Sequence, residues 1–237
     1  SSKQEVAEHV IRHPNVMRQN CRPKTKLCGH TMSADWFRNT TWDGIIERAF
    51  DEKLRRARRK EQYLRIQACT LARSHPEVAL KLLDRYFELQ DDFDHAQAHV
   101  DRATALLALG RVGEALAAYE AALTREALFP NLKTQAYLDL PYIVATRGIR
   151  DQYRRARELL DLHESRLMFP VDRFRWHAAQ ALIAADTGEA GSVRGHAERA
   201  LEAASRDHSG FRYHPAVGLV TPQYEAVVKK LESLCAA

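Results

Sequence analysis

Three groups of residues in this chain have types and spacings that could do chemistry. Cys21, Cys28 and His30 form a C-x6-C-x-H pattern, with His9 and His13 nearby as further ligands. Zinc takes four such sulfur and nitrogen donors, but structural zinc sites use tighter cysteine pairs than this one. His95 and His99 stand four residues apart, as the two zinc ligands of an HExxH helix do. The residues between them are Ala-Gln-Ala, so the general-base glutamate is missing and no third ligand accompanies the pair. Surface histidines near a helix start are the simpler account. The run RRARRK, Arg55–Lys60, offers a grip on phosphates or on an acidic peptide. On a continuous helix Arg55, Arg58 and Arg59 share a face, while Asp51, Glu52 and Glu61 lie close enough to absorb part of the charge. No aromatic residue is interleaved, as readers of single-stranded nucleic acid require, and a solvated helix face explains the run more simply.

The remaining acids and nucleophiles make no constellation. Asp91, Asp92 and Asp94 read as helix-entry acids, favoured there by the helix dipole. No Gly-rich phosphate loop, Ser-His-Asp signature or paired-carboxylate motif is present, so nothing argues for an enzyme and no cofactor is expected. Of the 237 residues, 45% are hydrophobic and 28% charged, as in an ordinary globular protein, and no apolar run is long enough to cross a bilayer. The formal charge of +5 is unevenly placed: residues 1–60 hold 14 Lys and Arg against 7 Asp and Glu, and the rest is close to neutral. Four cysteines without framework spacing, Cys69 within a helical apolar pattern, suggest free thiols and a cytoplasmic setting.

The elements that would have to position any site are helices. From Ala96 to Leu109 the residues Ala96, Val100, Ala103, Leu106, Leu107 and Leu109 recur at steps of three and four, which suits a helix burying one stripe. Gly110 is its natural left-handed stop. A second helix follows Arg111-Val112-Gly113, with Ala115, Leu116, Tyr119, Ala122 and Leu123 on one face. The segment GRVGEALAAYEAAL, with Gly110, Ala115, Tyr119 and Ala122 at fixed intervals, resembles the second half of a tetratricopeptide repeat in a divergent, bacterial-type member of that family. The first helix matches less well, offering His99, Arg102 and Ala103 where the family has Trp, Leu and Gly. The resemblance implies an all-α fold, a right-handed stack of antiparallel helical hairpins with a C-terminal capping helix. It also implies partners rather than a reaction.

Echoes of the pattern flank it. Ala79, Leu83 and Tyr86 come before it, with Ala79 standing 36 residues before Ala115; Ala156 with Leu160, and Ala197 with Leu201 and Ala204, follow at steps of 41. Phe129-Pro130 recurs as Phe169-Pro170, and Gly148 as Gly188, both at a spacing of 40, which predicts four hairpins. Residues 1–31 lack a helical stripe beyond a short helix over Gln4–Ile11, and read as a weakly ordered basic extension ahead of a natural start near Met32. A helical repeat domain then spans 32–206, and a long connection with a capping helix spans 207–237.

Within the repeat domain, Asn39, Thr40 or Thr41 can cap a helix from Asp43 to about Arg58, with Ile45, Ile46, Ala49, Phe50, Leu54 and Ala57 inward. Trp36 and Phe37 should fold back over the first hairpin. Pro76 suits a first helical turn, whereas Pro141 should kink its helix at Asp139–Pro141 or start it afresh. The stretch 205–222, rich in Gly, Pro, His and aromatics, is long enough to be functional or flexible. The expected function is a non-catalytic interaction scaffold that holds a peptide or protein in a concave groove. Arg65, Gln97, Asp101, Gln135, Tyr142 and Arg175, on first helices, would line it. The alternative is a nucleic-acid-associated protein using Arg55–Lys60.

Overall fold

The computed structural model describes residues 35–89 and 94–236. The C-x6-C-x-H pattern with His9 and His13, the extension over 1–31, the start near Met32, and Asp91 and Asp92 lie outside these residues. Among the described residues the protein is all-α: ten α-helices, three single 3-10 turns and no strand. No helix among them is long and apolar enough to cross a membrane. The chain divides into two compact units, one ending at Leu140 and the other continuing from Pro141 to the C-terminus.

In the first unit, α1 (Gly44–Arg56) is capped by Asp43, whose carboxylate accepts the Ile45 and Ile46 amides at 2.8 Å each. The cap is therefore two residues later than Thr41, because an acceptor must follow the extended backbone directly into the helix. Phe50 and Leu54 are buried as the periodicity requires, but Ile45, in the first turn, is 72% exposed. At Ala57 the backbone turns extended (φ −75°, ψ 143°), and α2 (Lys60–Leu71) starts three residues on. This break falls inside RRARRK, so Arg55, Arg58 and Arg59 do not share a helix face.

Trp36 and Phe37 do fold back: Trp36 stacks on Phe50 and Tyr63 (centroids 5.3 and 4.9 Å), and Phe37 on Tyr63 (4.7 Å). What fixes this cover is Gln67 of α2, which is fully buried. Its amide accepts the Asn39 backbone N–H at 2.9 Å and donates to the Asn39 carbonyl at 2.8 Å, pairing both backbone groups of one residue. Then follow α3 (Pro76–Phe87), with Pro76 in its first turn, α4 (His95–Ala108) and α5 (Val112–Leu128). Helices adjacent in sequence pack on one another, and α4 also touches α2. After α5, the buried Glu126 carboxylate accepts the Thr134 amide at 2.7 Å and the Thr134 hydroxyl, tying down the approach to the next helix.

That helix, α6 (Ala136–Arg147), begins five residues before Pro141 and runs through it. It does not start afresh at the proline; the bond Pro141 cannot donate belongs to the Tyr137 carbonyl. In the second unit α7 (Tyr153–His163), α8 (Pro170–Thr187), α9 (Ala190–Ala204) and α10 (Glu225–Ala236) follow. Asp172 opens α8 by accepting the Phe169 and Met168 amides at 3.0 and 3.2 Å. Asp186, near the end of α8, accepts Arg150 Nε and Nη2 at 2.7 Å each and the Tyr153 hydroxyl at 2.8 Å. Val227, Val228, Leu231 and Leu234 of α10 cover the apolar side of α8 and α9.

Gly110, Gly148 and Gly188 all sit at helix ends with φ of 73°, 66° and 78°. In each case the next residue's N–H reaches back five positions, Arg111 to Leu106, Ile149 to Val144 and Glu189 to Ala184, at 2.9 to 3.0 Å. This bond closes only when the glycine is left-handed, which is why a residue without Cβ stands there. The alanines at 79, 115, 156 and 197 are all fully buried, on α3, α5, α7 and α9 in turn. The Phe-Pro pairs are less alike: Phe129 is 41% exposed beneath the Arg125 guanidinium, whereas Phe169 is buried.

The connection after α9 is braced throughout. Ser209 is buried, donates its amide to the Pro215 carbonyl (2.8 Å) and its hydroxyl to the His214 carbonyl (2.7 Å), and accepts the Phe211 amide (3.1 Å). Phe211 stacks on Phe169 at 5.4 Å, and the Gly218 carbonyl accepts the Val171 amide at 2.8 Å.

Candidate partner-binding site

The six residues assigned to a groove fall into distinct settings in the two units. In the first unit, Arg65 of α2 and Asp101 of α4 are only 6% and 2% exposed. Arg65 Nε donates to Asp94 at 2.9 Å and its Nη1 to Asp101 at 3.2 Å. Gln97 donates to the other Asp101 oxygen at 3.3 Å. Burial alone would lower the Arg65 pKa, but Asp101 and Asp94 outweigh it and raise it well above the usual value, so the guanidinium is held charged. Asp94 stands at the start of α4 but spends its carboxylate on Arg65 rather than on a cap. Arg65 and Asp101 therefore form an internal brace between α2 and α4, and Gln97 is the member that remains half-exposed. Gln135 precedes α6, its backbone carbonyl accepting the Leu138 and Asp139 amides, and its side-chain oxygen is buried with no hydrogen-bond partner among the described residues.

In the second unit, Tyr142 and Arg175 are brought together. The Arg175 guanidinium lies 4.9 Å above the Tyr142 ring, a cation–π contact, and Tyr142 meets Tyr224 edge-on at 5.9 Å. Tyr224 in turn contacts the buried Phe174 at 5.2 Å, so the ledge rests on the core of its unit. Burial raises the Tyr142 pKa, Arg175 opposing it and Tyr224 adding to it, so the phenol stays a neutral donor and acceptor. A half-exposed ring carrying a cation suits a carboxylate or aromatic side chain of a partner.

Sequence reading did not find the ring cluster around His95 and His99. Phe87 of α3 packs against His99 at 4.7 Å and His95 at 5.3 Å, and the Arg102 guanidinium lies 4.7 Å over the same ring. The histidines thus pack on a neighbouring helix, and among the described residues no group of three or more metal-ligating side chains occurs. Burial, helped by Arg102, His95 and Arg125, lowers the His99 pKa to about 4. An unfolded chain takes up this proton near its ordinary value of about 6.5, before the folded one does, so stability should be flat above that pH and fall between it and 4. Allowing for solvent screening of a half-exposed ring, the loss is about 1 kcal/mol. Urea midpoints at pH 7 and pH 4.5 should differ by less in His99→Gln than in the parent; an equal difference would place the acid-sensitive group elsewhere.

No protein-family model matches this chain, and neither a curated protein nor a solved structure is significantly similar to it. The class that the fold defines is thus an all-α helical protein, and its function must be argued from its own side chains.

Proposed function

We propose that the protein is a non-catalytic interaction scaffold in which helix pairs of the tetratricopeptide type stack within each unit and hold a peptide or protein segment. The observation that carries this reading is the recurrence of one bend, a left-handed glycine closed by the same five-residue hydrogen bond, at Gly110, Gly148 and Gly188. Fully buried alanines on the helices α3, α5, α7 and α9 support it, being small where helix backbones must approach. The partner would be gripped at the Tyr142–Arg175 ledge, its carboxylate meeting the guanidinium and its apolar part the ring. Arg65 and Asp101 would act from inside by fixing α2 against α4. That Cys69 and Cys235 stand as thiols and not in a disulfide accords with a cytoplasmic setting.

The test is a peptide-display selection on the full chain, with enriched peptides titrated by fluorescence anisotropy. Arg175→Glu should weaken them at least tenfold and Tyr142→Phe by a smaller factor, with unchanged melting curves. Failure to enrich any peptide, or peptides indifferent to both substitutions, would sink the reading. Nucleic acid bound with an affinity falling linearly in log salt, and lost on Arg55→Glu/Arg58→Glu, would favour the basic-corner alternative instead.

A further inference from the structure

His177 on α8 and His196 on α9, 19 residues apart in sequence, face each other with Nδ1 atoms 3.1 Å apart. That contact is a hydrogen bond only if one Nδ1 carries a proton and the other does not. Trp176 packs edge-on against His177 at 4.8 Å and at a tilt against His196 at 5.6 Å, with its indole N–H fixed on the Leu160 carbonyl at 3.0 Å. The charged groups around the pair are Arg157 and Asp161 on α7, Arg173 on α8, and Arg199 and Glu202 on α9. Several are already engaged: Arg157 with Glu189 at 2.7 Å, Glu202 with Arg206 at 2.7 Å, and Asp161 with Gln180 at 3.4 Å. Arg173 and Arg199 are exposed and make no hydrogen bond or ion pair among the described residues. Arg173 lies one turn before His177 and Arg199 one turn after His196, so both guanidiniums flank the imidazole pair.

We propose that this face of α8 and α9 binds a tetrahedral oxyanion of the phosphoryl type, gripped by Arg173, Arg199 and the two Nδ1 atoms. The His177–His196 hydrogen bond is the closed form of the site. When both Nδ1 atoms are protonated they become two donors that repel each other, and the rings must part from 3.1 Å before an acceptor can lie between them. An anionic oxygen accepts both, and the arginines complete the set with charge-assisted bonds. The added proton comes from solvent, so anion and proton bind together. Burial, with His196, Arg199 and Arg173, holds the His177 imidazolium down to about 4, and a bound anion cancels much of that repulsion. This inference is independent of the peptide ledge, since it uses none of its side chains.

Sulfate is the probe of choice because it does not titrate between pH 5 and 8. The full chain would be titrated with sodium sulfate against sodium chloride at matched ionic strength, at pH 5.5 and 7.5, following heat and the change in tryptophan emission, Trp176 lying against the pair. Saturable one-to-one binding, at least tenfold tighter at pH 5.5, is expected. His177→Gln should abolish the pH dependence, and Arg173→Gln or Arg199→Gln should each weaken binding by about tenfold; both arginines are exposed, so melting curves should not move. A parallel arm with inorganic phosphate and a phosphoserine peptide separates a free anion from a phosphorylated side chain as the source. Sulfate no better than chloride at pH 5.5, or sulfate binding indifferent to His177→Gln and Arg199→Gln, would overturn the proposal. So would stoichiometric zinc binding at the pair with sulfate silent.

Discussion

Replacing Gly218 with alanine is expected to destabilise the second unit by about 3–4 kcal/mol, an unusually large cost for one methyl group. Two effects combine. The residue has φ of +70°, where a Cβ costs an L-residue about 1–2 kcal/mol. The new Cβ would also lie within 2.5 Å of Phe169 Cβ and Cδ1, closer than real side chains approach. Overpacking of this kind costs about 1–3 kcal/mol when the neighbour cannot give way. Phe169 cannot swing aside cheaply: its Cβ is fixed to the backbone at the mouth of α8, its amide is bound by Asp172, and its ring is stacked on Phe211. Urea denaturation would measure the effect, with Gly110→Ala as an internal comparison. Gly110 has a similar φ of +73° but nothing within 4 Å of its added Cβ, so it should lose about 1–2 kcal/mol. Equal losses at the two positions would mean that Phe169 relaxes and the clash is not felt.

Arg65→Met should cost about 3–5 kcal/mol, the usual consequence of stranding one member of a buried ion pair. The thioether fills much of the volume but leaves the Asp101 carboxylate, 2% exposed, to the Gln97 amide at 3.3 Å. The double variant Arg65→Met/Asp101→Leu removes both charges and should recover most of the loss, because two buried charges cost nearly as much desolvation as they return in attraction. A double variant no more stable than Arg65→Met would show that the carboxylate is not what suffers. Charge reversal at Arg65 would bring three carboxylates together inside the unit, so this position reports on folding and is unsuited to probing a partner.

How much of this was legible in the sequence depends on how far apart the cooperating residues lie. The bends at Gly110, Gly148 and Gly188 could be read directly, since only local backbone geometry requires them, and so could the buried alanines and the first-turn Pro76. The boundary at Ala57 could not, because it carries neither glycine nor proline and the basic run continues across it. Asp43 was misplaced by a neighbouring choice of equally good capping residues. Arg65 and Asp101 read from sequence as groove-lining residues because they are polar positions on first helices; their pairing spans 36 residues and leaves no periodic trace. The Tyr142–Arg175 contact was anticipated only as membership of one surface, and the His177–His196 pair not at all, for neither carries a recognisable spacing.

The five-residue bonds at the glycine bends have a kinetic consequence. Each is closed by residues a few positions apart, and the helices that then pack most closely are neighbours along the chain. Little loop entropy is spent before such contacts begin to repay it, so assembly can start at any bend without waiting for distant segments. Refolding is therefore expected toward the fast end for its size, as stopped-flow fluorescence would measure.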